Sequence, residues 1–167
     1  MQQNNPNPYA VSEGIALDVS DQAGEPAGRW HRLGASLIDS LILSIVIWPV
    51  ILFVFQIPFA SVATLGLGAK LLLGTGSFLT YVLINGYLLY QGGQTVGKKL
   101  LGIRVVKLDG SKATLLTLTV VRHLPLNLVG LIPVVGSIIQ LADALFIFRE
   151  NRRCLHDLIA GTKVVVA

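Results

Sequence analysis

One acid inside a long apolar run is the strongest chemical signal in this chain. The stretch that opens with Arg29, His31 and Arg32 runs apolar from Leu33 to Phe55, and its single charged residue is Asp39. Arg32 and Asp39 stand seven residues apart, so a helix puts them on one face, about 10 Å apart along its axis. An ionisable group at that depth in a bilayer is costly and faces a bundle interior or a polar cavity. Ala35 and Ser36 share the stripe and Gly34 lies beside it, which lets another helix approach closely. The chemistry on offer is binding of a cation or proton by the carboxylate. The structural alternative is an ion pair or hydrogen bond that fixes helix packing.

Further polar groups lie along the apolar regions. Gln140 and Asp143 are three residues apart, hence on one helix face. Two carboxylates with Asn85 could offer oxygen ligands to a hard cation, while Arg122 could neutralise either acid; Asn85 alone reads as a hydrogen bond between helices. The segment RRCLHDLIAGTKVV gathers Arg152, Arg153, His156 and Asp157, but adjacent helical residues point in different directions, which weakens a His–Asp acid–base pair. No nucleophile has a plausible base and H-E-x-x-H spacing is absent, so an enzyme is not expected. His31, His123 and His156 each adjoin a charged residue, and lipid-headgroup contact is their expected role. Neither a metal site nor a cofactor is expected. Gly92, Gly97 and Lys98 match G-x-x-x-x-G-K, but Lys99 follows where a P-loop needs Ser or Thr, and an apolar run precedes instead of a buried strand. A flexible turn leading to interfacial lysines is the better reading.

The elements that must position these groups are membrane helices. Charged residues make up 13% of the 167-residue chain against 53% hydrophobic, with mean hydropathy +0.68. The charged share is about half that of soluble domains, roughly 25%, and the apolar residues fall in runs instead of at amphipathic spacing. The first run, about 23 residues, and a second from Leu71 to Tyr90 each suffice for one crossing. Trp48 and Pro49 are expected to kink the first. The connection from Phe59 to Lys70 lies between them. The stretch 113–148 is apolar but interrupted by Arg122, His123, Pro125, Asn127, Gly130, Pro133 and Gly136, so a straight helix is excluded. Two pieces are expected, Thr114–Leu124 and Val134–Phe148, joined by the turn PLNLVGLIP. The polar stretch between the second run and this one holds a strand candidate, Ile103–Leu108, followed by the turn signal Asp109-Gly110. Lys163–Val166 has matching β-branched character, and the two strands are expected to pair outside the membrane.

Charge placement orients the chain. Residues 1–28 hold Glu13, Asp18, Asp21 and Glu25 and read as a disordered cytoplasmic tail; no Lys or Arg occurs before Arg29. Beyond it, basic residues flank the apolar runs, and only Lys70 falls on the far side. That pattern favours a lipid bilayer over nucleic acid as partner. Three basic clusters on one side require an even number of crossings, so 113–148 is expected to enter and return. The expected fold is an all-α integral membrane protein, a small multi-pass helical bundle of about four membrane helices, the last two a broken hairpin, with a short cytoplasmic β-strand pairing. Cys154 is the lone cysteine, so no intramolecular disulfide forms. Arg152 and Arg153 would lower its thiol pKa if close; an apolar filler role is preferred.

RWHRLGASLIDSLIL, GQTVGKKLLGIRVVKLDG and RRCLHDLIAGTKVV, in that order, resemble the RDD family of small bacterial membrane proteins, over about Trp30 to Val166. The resemblance implies a bacterial cytoplasmic membrane, an RDD-like transmembrane domain over 29–167, and family residues at Arg32, Asp39 and Asp157, with Asp143 in reserve for the second Asp. Family proposals of ion or ligand transport suggest a transporter or transport-associated protein for a cation, proton or small ligand. In it Asp39 is the exchange site, Arg32 sets its charge balance and Asp157 ties the C-terminal segment to the cytoplasmic face. With so few helices, a homo-oligomer is expected. The rival is a non-transporting scaffold or accessory subunit in which these charges lock helices together.

Overall fold

The structure, a computed structural model, describes residues 24–130, 132 and 134–167. Most of the expected tail, up to residue 23, falls outside the described residues. The rest is ordered by backbone pairing: the Ala27 N–H donates to Val164 O at 3.0 Å and the Val166 N–H to Glu25 O at 2.9 Å.

Helix α1 spans Arg29–Pro49 and continues through a π turn at Val50–Val54. Pro49 has no N–H to donate, and the wider turn follows it, where the sequence placed a kink. Helix α2 spans Leu67–Gly92. It takes in the end of the expected connection, whose remainder is a 3-10 segment, Phe59–Thr64. Trp48 packs on Phe59 there, ring centroids 4.8 Å apart. The two apolar helices, Arg29–Val54 and Leu67–Gly92, have 26 residues each. That is about 39 Å at the helical rise, long enough to cross a bilayer. Their outward side chains agree with that solvent: Leu37, Leu41 and Ile45 at i, i+4 and i+8, and Leu79 and Leu83, are all exposed.

Gly93 ends α2 in the left-handed region, φ 66°, and a Cβ there would strike Val105 O. Only glycine meets both demands. The chain then forms a short helix α3, Val96–Leu100, and strand β1, Ile103–Lys107. Strand β1 pairs antiparallel with the final strand β2, Thr162–Val166, in register from Ile103↔Val166 to Lys107↔Thr162. The expected strand pairing is therefore present. Asp109-Gly110 turns the chain after β1, with Val106 bridged to Lys112. Ile103, Val105 and Val164 point into a core shared with Ala27, Ala35, Leu89, Ala113 and Leu118. This sheet covers the end where α1 begins and α2 finishes.

The region 113–148 departs from expectation. A π turn at Thr117–Val121 leads into α4, Arg122–Gly130, and α5 follows at Val135–Leu145 with a 3-10 end, Phe146–Phe148. Helix α4 runs through Pro125, which the sequence placed in a turn. Helical backbone is continuous from Leu115 through the π turn into α4, so Pro125 lies inside it; the wider turn just before the proline goes with its missing N–H and ring, and the helix carries on. The chain reverses only after Gly130. There α4 and α5 pack tightly: a Cβ on Gly136 would collide with Val129 O and come within 2.9 Å of Gly130 Cα. Among the described residues two helices are long and apolar enough to cross a membrane, so the expected count of about four is not confirmed. Val135–Phe148 reaches about 21 Å, against a hydrocarbon core of about 30 Å. The polar residues Arg122, His123 and Asn127 interrupt the other half of the pair.

Candidate functional site

The short helix α6, Leu155–Ile159, carries Asp157 in its first turn. Burial favours a neutral carboxyl, yet Arg122, then His156 and Arg32, hold Asp157 well below the usual carboxylate range. Its Oδ2 pairs with the Arg32 guanidinium of α1. Its Oδ1 pairs with Arg122 of α4 at 2.8 Å. The Cys154 N–H and the Thr162 hydroxyl each donate to it at 3.3 Å. Arg32, Arg122 and Asp157 are at most 5% exposed. One carboxylate thus ties together α1, α4, α6 and β2. This corrects the expectation that Arg32 balances Asp39. Two helical turns separate those residues on α1, while Asp157 comes within reach of Arg32 from across the fold.

Asp39 has another role in the packing. Its Oδ1 accepts the Gly97 N–H at 2.7 Å, and Oδ2 accepts the Thr95 hydroxyl and lies 3.6 Å from Lys98 Nζ. Asn85 of α2 accepts the Val96 N–H at 2.9 Å and donates to Tyr81 O at 3.2 Å. Thr95 is the N-cap of α3, accepting the Lys98 N–H. The first amides of α3 are therefore satisfied by an acid from one long helix and an amide from the other. The small-residue stripe of α1 is used here, because a Cβ on Gly97 would strike Ala35 O and meet Asp39 at 3.0 Å. Lys98 is lowered to about 8 by burial first and by Arg122 second, against the pull of Asp39.

His156 joins the two halves. Arg122 can only donate, so His156 Nε2 accepts from it at 2.9 Å and the ring proton sits on Nδ1. That nitrogen donates to Asp143 Oδ2 of α5 at 2.7 Å, and the His156 N–H donates to Oδ1 at 2.9 Å. Burial, then Arg122, lowers the pKa of His156. His123 stacks near it, centroids 6.3 Å apart, and hydrogen-bonds the Tyr81 hydroxyl at 2.8 Å. His31 is exposed. Of the three histidines the sequence assigned to lipid headgroups, His123 and His156 are thus half-buried and partnered within the fold. Their adjacency to charges was visible, but not that the neighbours would be long-range partners. The expected ligand set of two carboxylates with Asn85 has separate partners instead: Asp39 accepts from Gly97, Asp143 from His156 and Asn85 from Val96, and Gln140 lies against Gly130.

These groups surround a cavity of about 270 Å³ between α1, α2, α3 and α4. Arg32, Asp39, Lys98, Arg122, His123 and His156 line it, with Ser36, Ser40 and Ser77 among the smaller residues. Asn127 contributes as well, whereas Asn85, Asp143 and Asp157 stand behind the wall. Cys154, His156 and Asp157 offer ligand atoms within 4.8 Å of one another, but both oxygens of Asp157 are taken by guanidinium groups. A metal ion there would meet two cations at contact distance, so the residues do not fit one. Burial pushes the Cys154 thiol up to about 11, against the effect of Arg32, so it is not a ready nucleophile. Arg152 and Arg153, its sequence neighbours, do not govern it.

Comparison with known proteins places these residues in a wider group. A family model, that of the RDD family, matches residues 26–161. A protein of Bacillus subtilis (strain 168), described as uncharacterized protein YckC, is 36% identical over 145 residues, 86% of each chain. No solved structure matches the chain.

Proposed function

We propose, from the premise that the chain belongs to the RDD family, that it is a small multi-pass membrane transporter whose charged cavity takes up a proton, ion or small ligand. The observation that carries this reading is the cavity itself: charged and hydroxyl side chains converge on it from α1, α2, α3 and α4, and the outer faces of the two long helices are bare hydrocarbon. Buried charge of this kind in a membrane segment is costly and is kept for pathways and binding. In this reading the sheet and the basic residues around it face the cytoplasm, in keeping with Arg29, Arg32, Lys98, Lys99, Arg149, Arg152 and Arg153 at that end. The membrane is the bacterial cytoplasmic membrane. The pair α4–α5 re-enters from that side, and a homo-oligomer completes the pathway that two full spans cannot enclose.

A second reading draws on a specific observation. Asp157 is saturated by two arginines, an amide and a hydroxyl, which is what a structural lock requires. On that view the protein is a non-transporting scaffold or accessory subunit. The two separate on Ser77→Trp, which fills the cavity from α2 and leaves the lock untouched. Flux in proteoliposomes, with sodium, potassium, proton and phosphate gradients imposed in turn, should fall in this variant. No flux in wild type under any gradient overturns transport in favour of the scaffold.

A further inference from the structure

The cavity wall is unbalanced in charge. Arg32, Lys98 and Arg122 line it, against a single lining acid, Asp39. Behind the wall, Arg32 and Arg122 share one carboxylate, Asp157, and Asp143 is engaged by the ring and backbone of the neutral His156. The surplus of cations therefore lies in the lining itself, while the wider set of charges balances. The donors are also incompletely used. Arg122 is 3% exposed, and its Nε is buried with no hydrogen-bond partner. Lys98 Nζ has three protons; its contacts are the Thr95 hydroxyl at 3.3 Å and Asp39 at 3.6 Å, the latter beyond normal hydrogen-bond length. A buried guanidinium nitrogen left without an acceptor is costly. Burial first, and Arg122 second, lower the pKa of Lys98 to about 8.

A bare cation is poorly served by such a wall. Three cationic side chains oppose it, and both oxygens of Asp39 already accept hydrogen bonds. An oxyanion suits such a lining: it meets three cationic side chains against one carboxylate and accepts from Lys98 and Arg122, with serine hydroxyls close by. The volume of about 270 Å³ lies just under the roughly 300–1,000 Å³ of pockets for drug-sized ligands, so the occupant is small.

We propose that the cavity is a binding site for a small oxyanion, a phosphate or phosphodiester group, held between Lys98, Arg122 and Arg32. This names the ligand class of the site and rests on the transport reading given above. The group comes either free from solution or on the headgroup of an anionic lipid, and the two sources separate by experiment.

The test uses the full chain, purified in a neutral detergent and stripped of lipid, with Lys98→Gln beside wild type. Lys98→Gln leaves the Asp157 lock intact and leaves Asp39 two other donors, so it should fold; Arg122→Gln is the second variant, judged only if its unfolding midpoint matches wild type. Inorganic phosphate is titrated, with chloride at equal ionic strength as control, and binding is read by calorimetry. The same proteins are then placed in nanodiscs of phosphatidylcholine with and without phosphatidylglycerol, and retained lipid is read by native mass spectrometry. Saturable phosphate binding weakened about tenfold in Lys98→Gln, the worth of one charge-assisted contact, identifies a free anion. Selective retention of phosphatidylglycerol, lost in Lys98→Gln, identifies a headgroup. Binding of neither, or binding unchanged by Lys98→Gln, overturns the proposal. Anion binding without flux would leave the site standing and remove transport; flux without anion binding would do the reverse.

Discussion

Replacing Asp157 by Asn tests the charge lock at its centre. The variant keeps size and some hydrogen bonding but leaves Arg32 and Arg122, 5% and 3% exposed, with no counter-charge. Removing one partner of a buried ion pair costs about 3–5 kcal/mol, and here two cations are stranded by one change. Arg32→Gln is the control. It leaves Arg122 and Asp157 matched one to one at 2.8 Å, so its cost should be that of a lost charged hydrogen bond, about 1.5–3 kcal/mol. Asp157→Asn should therefore be the more damaging of the two. Equilibrium unfolding by sodium dodecyl sulfate in mixed micelles, followed by tryptophan fluorescence, measures both. The pH dependence adds a sign. The folded-state pKa of Asp157 is depressed, so its stabilisation is full above the unfolded value of about 3.9 and is lost as pH falls below that toward the folded value. Wild type should weaken in that window, and the variant should not share the loss. If Asp157→Asn unfolds within about 0.5 kcal/mol of wild type, the size of an ordinary surface substitution, the lock is not what holds these helices.

Two further perturbations report on the surrounding structure. His156 has a folded pKa below its ordinary value. The unfolded chain therefore binds the proton first, and stability falls as pH drops through about 6.5. His156→Gln should flatten that part of the stability profile, and nitrogen NMR of the wild-type ring should show the Nδ1–H tautomer with a midpoint below 6.5; a midpoint above it contradicts the burial argument. Gly97→Ala places a methyl against Ala35 O and Asp39, an overpacking worth about 1–3 kcal/mol. It should weaken the contact of α3 with α1, read as faster amide exchange at Gly97 and Lys98, and unchanged exchange would refute the close fit.

How much of this was legible beforehand differs by element. Both long helices followed from run length, because a bilayer sets the number of apolar residues directly. The β1–β2 pairing followed from matching β-branched composition, while the Asp109-Gly110 turn marked only the end of β1. The partner of Asp39 did not. Its firmest contacts include the Gly97 amide, and a backbone donor leaves no mark in residue type, although Thr95 standing before Val96 is a readable N-cap. Arg32 and Asp157 both stand out in the sequence, but their pairing spans 125 residues, which periodicity cannot see. In 113–148, Pro125 reads as a turn signal, but the π turn Thr117–Val121 before it lets the helix run on to Gly130. The region's division into two short pieces was legible, the second nearly to its bounds, while the first runs on to Gly130.

The most direct measurement is flux in proteoliposomes reconstituted with wild type and with Ser77→Trp. The cavity account predicts flux of one of the imposed ions in wild type and at least a tenfold reduction in the variant, with the unfolding midpoint of the variant close to that of wild type. Equal flux in both proteins, or none in wild type under any gradient, would contradict it.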